Sequence, residues 1–149
     1  MRPGRRWAGG WTCAALCLLL GMGGAQGCPP GQDARLTRTG HALEAAQLRW
    51  QRAAPAGYTL TLYRLQDTDS ETTVLTGPPV RGSPGPIEGL FGEVEEMLDM
   101  ARTVPGFCFE VAAVFDWRYG YPIRVWFWSP VDGTRHLTSW EISDFQPRP

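Results

Sequence analysis

The chain has 149 residues, 43% hydrophobic and 19% charged, with 14 basic against 15 acidic side chains. That balance fits a globular protein with one core and excludes a disordered or fibrous chain. The chain has neither lysine nor asparagine, which excludes Schiff-base chemistry, a phosphate-binding P-loop and a Ser–Lys dyad.

Residues 1–27 carry the pattern of an export signal. Arg2, Arg5 and Arg6 make a basic start, the run Ala14-Ala15-Leu16-Cys17-Leu18-Leu19-Leu20 is apolar, and small residues lead to Ala25-Gln26-Gly27-Cys28. That order is what a secretion machinery reads. Ala25-x-Gly27 satisfies signal peptidase, with cleavage before Cys28. The same cut makes Cys28 a lipidated first residue, although Ala25 stands where such sites carry Leu or Val. The apolar core is shorter than the roughly 20 residues a transmembrane helix needs, so membrane contact is expected only through a lipid on Cys28. After cleavage eleven basic side chains face fifteen acidic ones. No basic surface is left for phosphate, and nucleic acid is excluded as a partner. Cys13 and Cys17 leave with the leader, so only Cys28 and Cys108 remain. Two alternatives follow. Either Cys28 is lipidated and Cys108 is a lone buried thiol, or the two pair in an oxidising compartment. The missing lysine and asparagine, whose codons begin with AA, point to a GC-rich bacterial genome.

Residues 28–40 are polar, contain Gly and Pro, and show no periodicity, so they are expected to form a linker or tether. A single domain is expected over 41–146, with 147–149 a tail. Leu43, Ala46 and Trp50 recur at helical spacing and predict a helix over 41–52, ended by Pro55 and Gly57. Residues 58–63 alternate with period two and predict a strand. Asp67-Thr68-Asp69-Ser70 is turn chemistry, and 71–75 is the return strand of a hairpin. The loop 76–86 is rich in Pro and Gly. Pro86 opens a second helix, with Ile87, Leu90, Phe91, Val94, Met97, Leu98 and Ala101 on one stripe. Glu88, Glu95, Glu96 and Asp99 lie off it as a solvated face.

Three strands follow, over 107–115, 123–128 and 136–145. They are joined by the turn Asp116-Trp117-Arg118-Tyr119-Gly120-Tyr121-Pro122 and by Pro130-Val131-Asp132-Gly133, connections short enough to force an antiparallel meander. The expected fold is α+β: two helices packed on one face of a mostly antiparallel five-stranded sheet, in the order α-β-β-α-β-β-β.

Four stretches carry a family likeness. Trp50 stands ahead of Tyr58-Thr59-Leu60, and Ile87-Glu88-Gly89-Leu90-Phe91 opens the second helix. Phe115-Asp116-x-x-Tyr119-Gly120-Tyr121-Pro122 forms the turn, and Trp140-Glu141-Ile142-Ser143-Asp144-Phe145 closes the domain. On these residues, over about 43–145, the chain resembles an uncharacterised family of bacterial exported proteins known as domain of unknown function 6174. The resemblance implies export and a compact α+β fold, and no activity. Members often carry a Cys-x-Cys pair where this chain has Leu65-Gln66-Asp67. They also tend to be acidic where it has Gly133-Thr134-Arg135-His136.

No catalytic, metal or cofactor motif is present. His41 and His136 are far apart and in no ligand spacing. Asp67-x-Asp69 opens like a calcium loop, but Thr72 stands at the glycine position and Pro78 at the glutamate position. Asp132, His136 and Ser139 suggest a hydrolase triad, yet His136 and Ser139 are three apart on a strand and face opposite ways. Glu110 and Asp116 share a strand face at roughly 20 Å, too far for acid–base work.

The aromatic cluster is the lead. Trp117, Tyr119, Tyr121, Trp126 and Trp128 crowd one turn and its following strand, and Arg124, Trp126 and Trp128 share a face opposite Ile123, Val125 and Phe127. That composition is typical of binding hot spots. The bland alternative is that Trp126 and Trp128 pair with Trp140 and arginines to cover the sheet's outer face. The expected function is a non-enzymatic binding module of the bacterial envelope, exported to periplasm, outer membrane or medium, with a protein or envelope component as partner. The rivals are a secreted enzyme inhibitor and a small hydrolase.

Overall fold

A computed structural model describes residues 28, 30–77, 84–104, 108–131 and 134–148. Seven elements follow in chain order: α1 (Gln32–Ala53), β1 (Gly57–Gln66), β2 (Asp69–Gly77), α2 (Pro86–Thr103), β3 (Glu110–Phe115), β4 (Pro122–Val131) and β5 (Thr134–Arg148). The strands form one sheet in the order β2-β1-β5-β4-β3, and every neighbouring pair is antiparallel. The fold is α+β in the expected order. The leader, 1–27, lies outside the described residues, as do Phe107 and Asp132.

Both helices bury one stripe against the same face of the sheet. Leu43, Ala46 and Trp50 of α1 and Ile87, Leu90, Phe91, Val94 and Leu98 of α2 meet Leu60, Leu62, Val125, Phe127, Trp140 and Ile142. Pro86 occupies the first turn of α2, where its missing N–H is no loss. Glu88 reaches back to the Gly85 N–H at 2.9 Å, satisfying one of the helix's orphan donors. Arg64 on β1 clamps Glu93 on α2 through two bonds of 2.8 and 2.6 Å.

Residues 32–40, most of the expected linker, are helical. The helix begins at Gln32, and Gln32 and Leu36 are buried, continuing the stripe of Leu43, Ala46 and Trp50 about three turns toward the N-terminus. The weak helix formers Thr37, Thr39 and Gly40 hide this in the sequence. Gly40 lies beside the Arg102 guanidinium of α2, which would shift if a Cβ were added there. Pro147 and Arg148 are not a free tail either, because they pair with Tyr58 and Gly57.

α1 also closes one edge of the sheet. Gln32 Nε2 donates to the Phe109 carbonyl (2.9 Å), Thr39 Oγ1 to the Val111 carbonyl (3.3 Å) and Arg49 to the Asp116 carbonyl (3.1 Å). The Val111 carbonyl of the edge strand β3, and the carbonyls that flank the strand at Phe109 and Asp116, are therefore spent on helix side chains, which blunts this edge as a template for pairing.

Candidate functional site

Cys28 and Cys108 form a disulfide, with Cα atoms 5.1 Å apart and 80 residues between them in sequence. It joins the approach to α1 to the approach to β3. Of the two fates open to Cys28, the structure contains the second, and a sulfur engaged in a disulfide carries no thioether lipid.

The aromatic residues read as one surface divide into two groups. Tyr119 and Tyr121 turn into the domain and pack on Phe145, with ring centroids 5.5 and 4.2 Å away. Phe145 in turn meets Tyr58 at 5.6 Å and Trp50 at 6.3 Å, and Trp50 meets Tyr58 edge-on at 5.4 Å. Burial pushes the Tyr121 hydroxyl above its ordinary pKa, helped by the nearby Asp116 charge. These two tyrosines are half-buried and pack against the core, away from the face that carries Trp126.

Their turn is pinned from both sides. Asp116 Oδ1 accepts the N–H groups of Arg118 and Tyr119, and the Asp116 carbonyl accepts from Gly120 N–H and Arg49. Gly120 has φ of +90°, and a Cβ on it would lie 2.3 Å from the Ala46 carbonyl of α1. Trp117 at the tip of this turn is 83% exposed.

Arg124, Trp126 and Trp128 do share the outer face. Val125 and Phe127 point the other way and are buried. Trp126 lies across from Ala112 on β3 and Ser139 on β5, and Trp128 across from Glu110 and Leu137. The cross-strand neighbours of Trp126 are small. Arg124 lies over that indole, 5.7 Å from its centroid, and bonds Glu141 Oε2 through Nε at 2.8 Å. Both tryptophans are half-buried, and Tyr63, Val74 and Val114 on the same face are exposed. Among the described residues no helix packs on this face.

Trp140 does not cover it. It sits opposite Val125 and is 1% exposed, in the core layer under the helices. Cover of the outer face by Trp140 is therefore corrected.

The second feature is a groove of about 970 Å³ between the end of α1 and the start of α2, floored by Trp50, Tyr58 and Phe91 and rimmed by Gln47, Glu88 and Glu95. Its two carboxylates and its tyrosine hydroxyl are engaged. Glu88 accepts the Trp50 indole N–H at 2.8 Å with one oxygen and the Gly85 N–H with the other. Glu95 accepts from Gln47 at 2.7 Å. The buried Tyr58 hydroxyl accepts the Ile87 N–H at 3.1 Å, and burial pushes its pKa up to about 12. Glu88 is exposed, as its place off the helix stripe suggested, and it also ties Trp50 to the start of α2.

The remaining candidates also hold the fold. Asp67 Oδ1 accepts the Leu137 N–H at 3.1 Å, joining the β1–β2 turn to β5. Glu110 pairs with Arg35. Among the described residues no three His, Cys, Asp or Glu side chains cluster as metal ligands, and no helix is long and apolar enough to cross a membrane. The chain matches no family model, no curated protein sequence and no solved structure.

Proposed function

We propose that this is an exported, non-enzymatic binding domain that meets a protein or envelope component through the outer face of its sheet. The observation that carries the reading is the uncovered face built from Trp126, Trp128 and the Arg124–Glu141 pair. Two indoles about 7 Å apart on one strand, flanked by a charged pair and small residues, make a rigid amphipathic platform of hot-spot composition. The leader pattern and the Cys28–Cys108 bond support export to an oxidising compartment. The bond also favours the unanchored form over a lipoprotein, and the mass of the mature N-terminus distinguishes them. The resemblance to domain of unknown function 6174 points the same way on compartment.

The test is capture from the exported fraction by immobilised wild-type protein and by the Trp126→Ser, Trp128→Ser double variant. The variant is expected to keep the far-ultraviolet spectrum of the wild type and to lose the captured species. An identical set of captured species from both would overturn the reading.

Trp117 favours a second reading, a secreted enzyme inhibitor. An indole held out on a turn fixed by Asp116, Arg49 and Gly120 suits insertion into a cleft. In that case Trp117→Ala alone abolishes capture and the double variant does not.

A further inference from the structure

The two edges of the sheet are treated differently. The edge strand β3 has its Val111 carbonyl, and the Phe109 carbonyl just ahead of it, capped by α1. The other edge strand, β2, is nine residues long, and among the described residues nothing pairs with its outward side. The two-residue loop closes on the Gln66–Asp69 pair. Counting in steps of two from Asp69, alternate residues of β2 bond to β1. The backbone groups of Ser70, Thr72, Val74 and Thr76 therefore face away from it. Those four residues are small or β-branched, uncharged and not proline, so the usual protections of an edge are missing there. Val74 is 68% exposed.

We propose that β2 pairs antiparallel with β2 of a second copy of this chain about a two-fold axis at Thr73. The sequence of the strand selects this occupant and this register. With Thr73 opposite Thr73, Thr72 meets Val74 of the second copy, Ser70 meets Thr76, Glu71 meets Leu75 and Asp69 meets Gly77. All nine residues are paired, and all four outward rows of hydrogen-bonding groups are used. The two acids, both at the hairpin end, fall opposite uncharged residues. A register slipped to centre on Glu71 sets like charges face to face, which is destabilising. The contact is isologous and closed, and the joined sheet has ten strands. Because the axis is perpendicular to the sheet, both Trp126–Trp128 platforms lie on the same side. The pairing does not depend on those platforms binding anything.

The experiment uses the oxidised, exported protein alone. Its mass by light scattering is measured from micromolar to submillimolar concentration, together with backbone amide exchange. Wild type is expected to double its mass as concentration rises, with slowing of exchange confined to Ser70, Thr72, Val74 and Thr76. Val74→Lys puts a charge on the edge, and Thr72→Pro removes one outward N–H without touching a bond to β1. Both are expected to stay monomeric, and Val74→Lys decides if the proline variant misfolds. A wild type that is monomeric throughout overturns the proposal; so does a dimer that survives both variants, or one dissolved instead by Trp126→Ser, Trp128→Ser.

Discussion

Tyr121 and Phe145 stack with ring centroids 4.2 Å apart, joining the turn before β4 to the far end of β5. Phe145 is the hub of the aromatic cluster, touching Trp50, Tyr58, Tyr119 and Tyr121. Its position depends on a bulge. The register between β1 and β5 shifts between Thr59 and Thr61, so that Asp144 and Phe145 together oppose Leu60. Asp144 takes φ of +51°, a conformation Asp tolerates better than most residues.

Phe145→Ala is expected to destabilise the domain by about 3 kcal/mol, because a large ring is lost where four others converge. Urea unfolding followed by tryptophan fluorescence reads this out. The aromatic circular dichroism should weaken in the folded variant, since Trp50 loses a ring partner.

Tyr58 sets the alkaline limit of stability. Its folded pKa of about 12 lies above the ordinary 10.0, so the folded state holds the proton more tightly than the unfolded chain. The stabilisation is complete below about pH 10 and falls by roughly 2–3 kcal/mol as the pH rises to 12. Tyr58→Phe is expected to flatten that decline. At neutral pH it costs about 1–2 kcal/mol, because the Ile87 N–H is left buried without its acceptor.

The disulfide closes a loop spanning 80 residues of separation, worth about 4 kcal/mol in the chain-entropy account. Reduction, or Cys28→Ser with Cys108→Ser, is expected to lower the melting temperature by more than about 10 °C. Amide exchange should speed up first in residues 32–36, the turns nearest the bond.

Gly120→Ala forces a methyl group to within 2.3 Å of a helix carbonyl at a residue with positive φ. A loss of about 2–4 kcal/mol is expected. Trp117, carried on that turn, should then show broadened fluorescence and faster quenching. Gly89→Ala in α2 meets nothing within 4 Å and should stabilise slightly, as alanine does in a helix interior.

Most of the sheet and α2 were legible because long stretches keep one period: alternation at Tyr58 to Leu62, and the helical stripe from Ile87 to Ala101. The start of α1 was not. Gln32 is a polar residue buried by a single bond to Phe109, and Thr39 and Gly40 lower the local helix propensity; only contact with β3 makes that segment helical. The Arg124, Trp126 and Trp128 face followed from period two alone. The inward turn of Tyr119 and Tyr121 did not, because strand alternation does not extend through a turn. The same limit hid Phe145, three residues from Ile142 and yet on the same face.

That last relation makes the domain sensitive to backbone geometry at one position. Were Asp144 to take ordinary strand geometry and pair alone with Leu60, β5 would read as more regular, and every residue could still find a backbone partner. Yet the phase of everything after Ser143 would invert, Phe145 would rotate out into solvent, and Trp50, Tyr58, Tyr119 and Tyr121 would lose the ring they share. The irregular residue is what lets one strand serve two layers of the core.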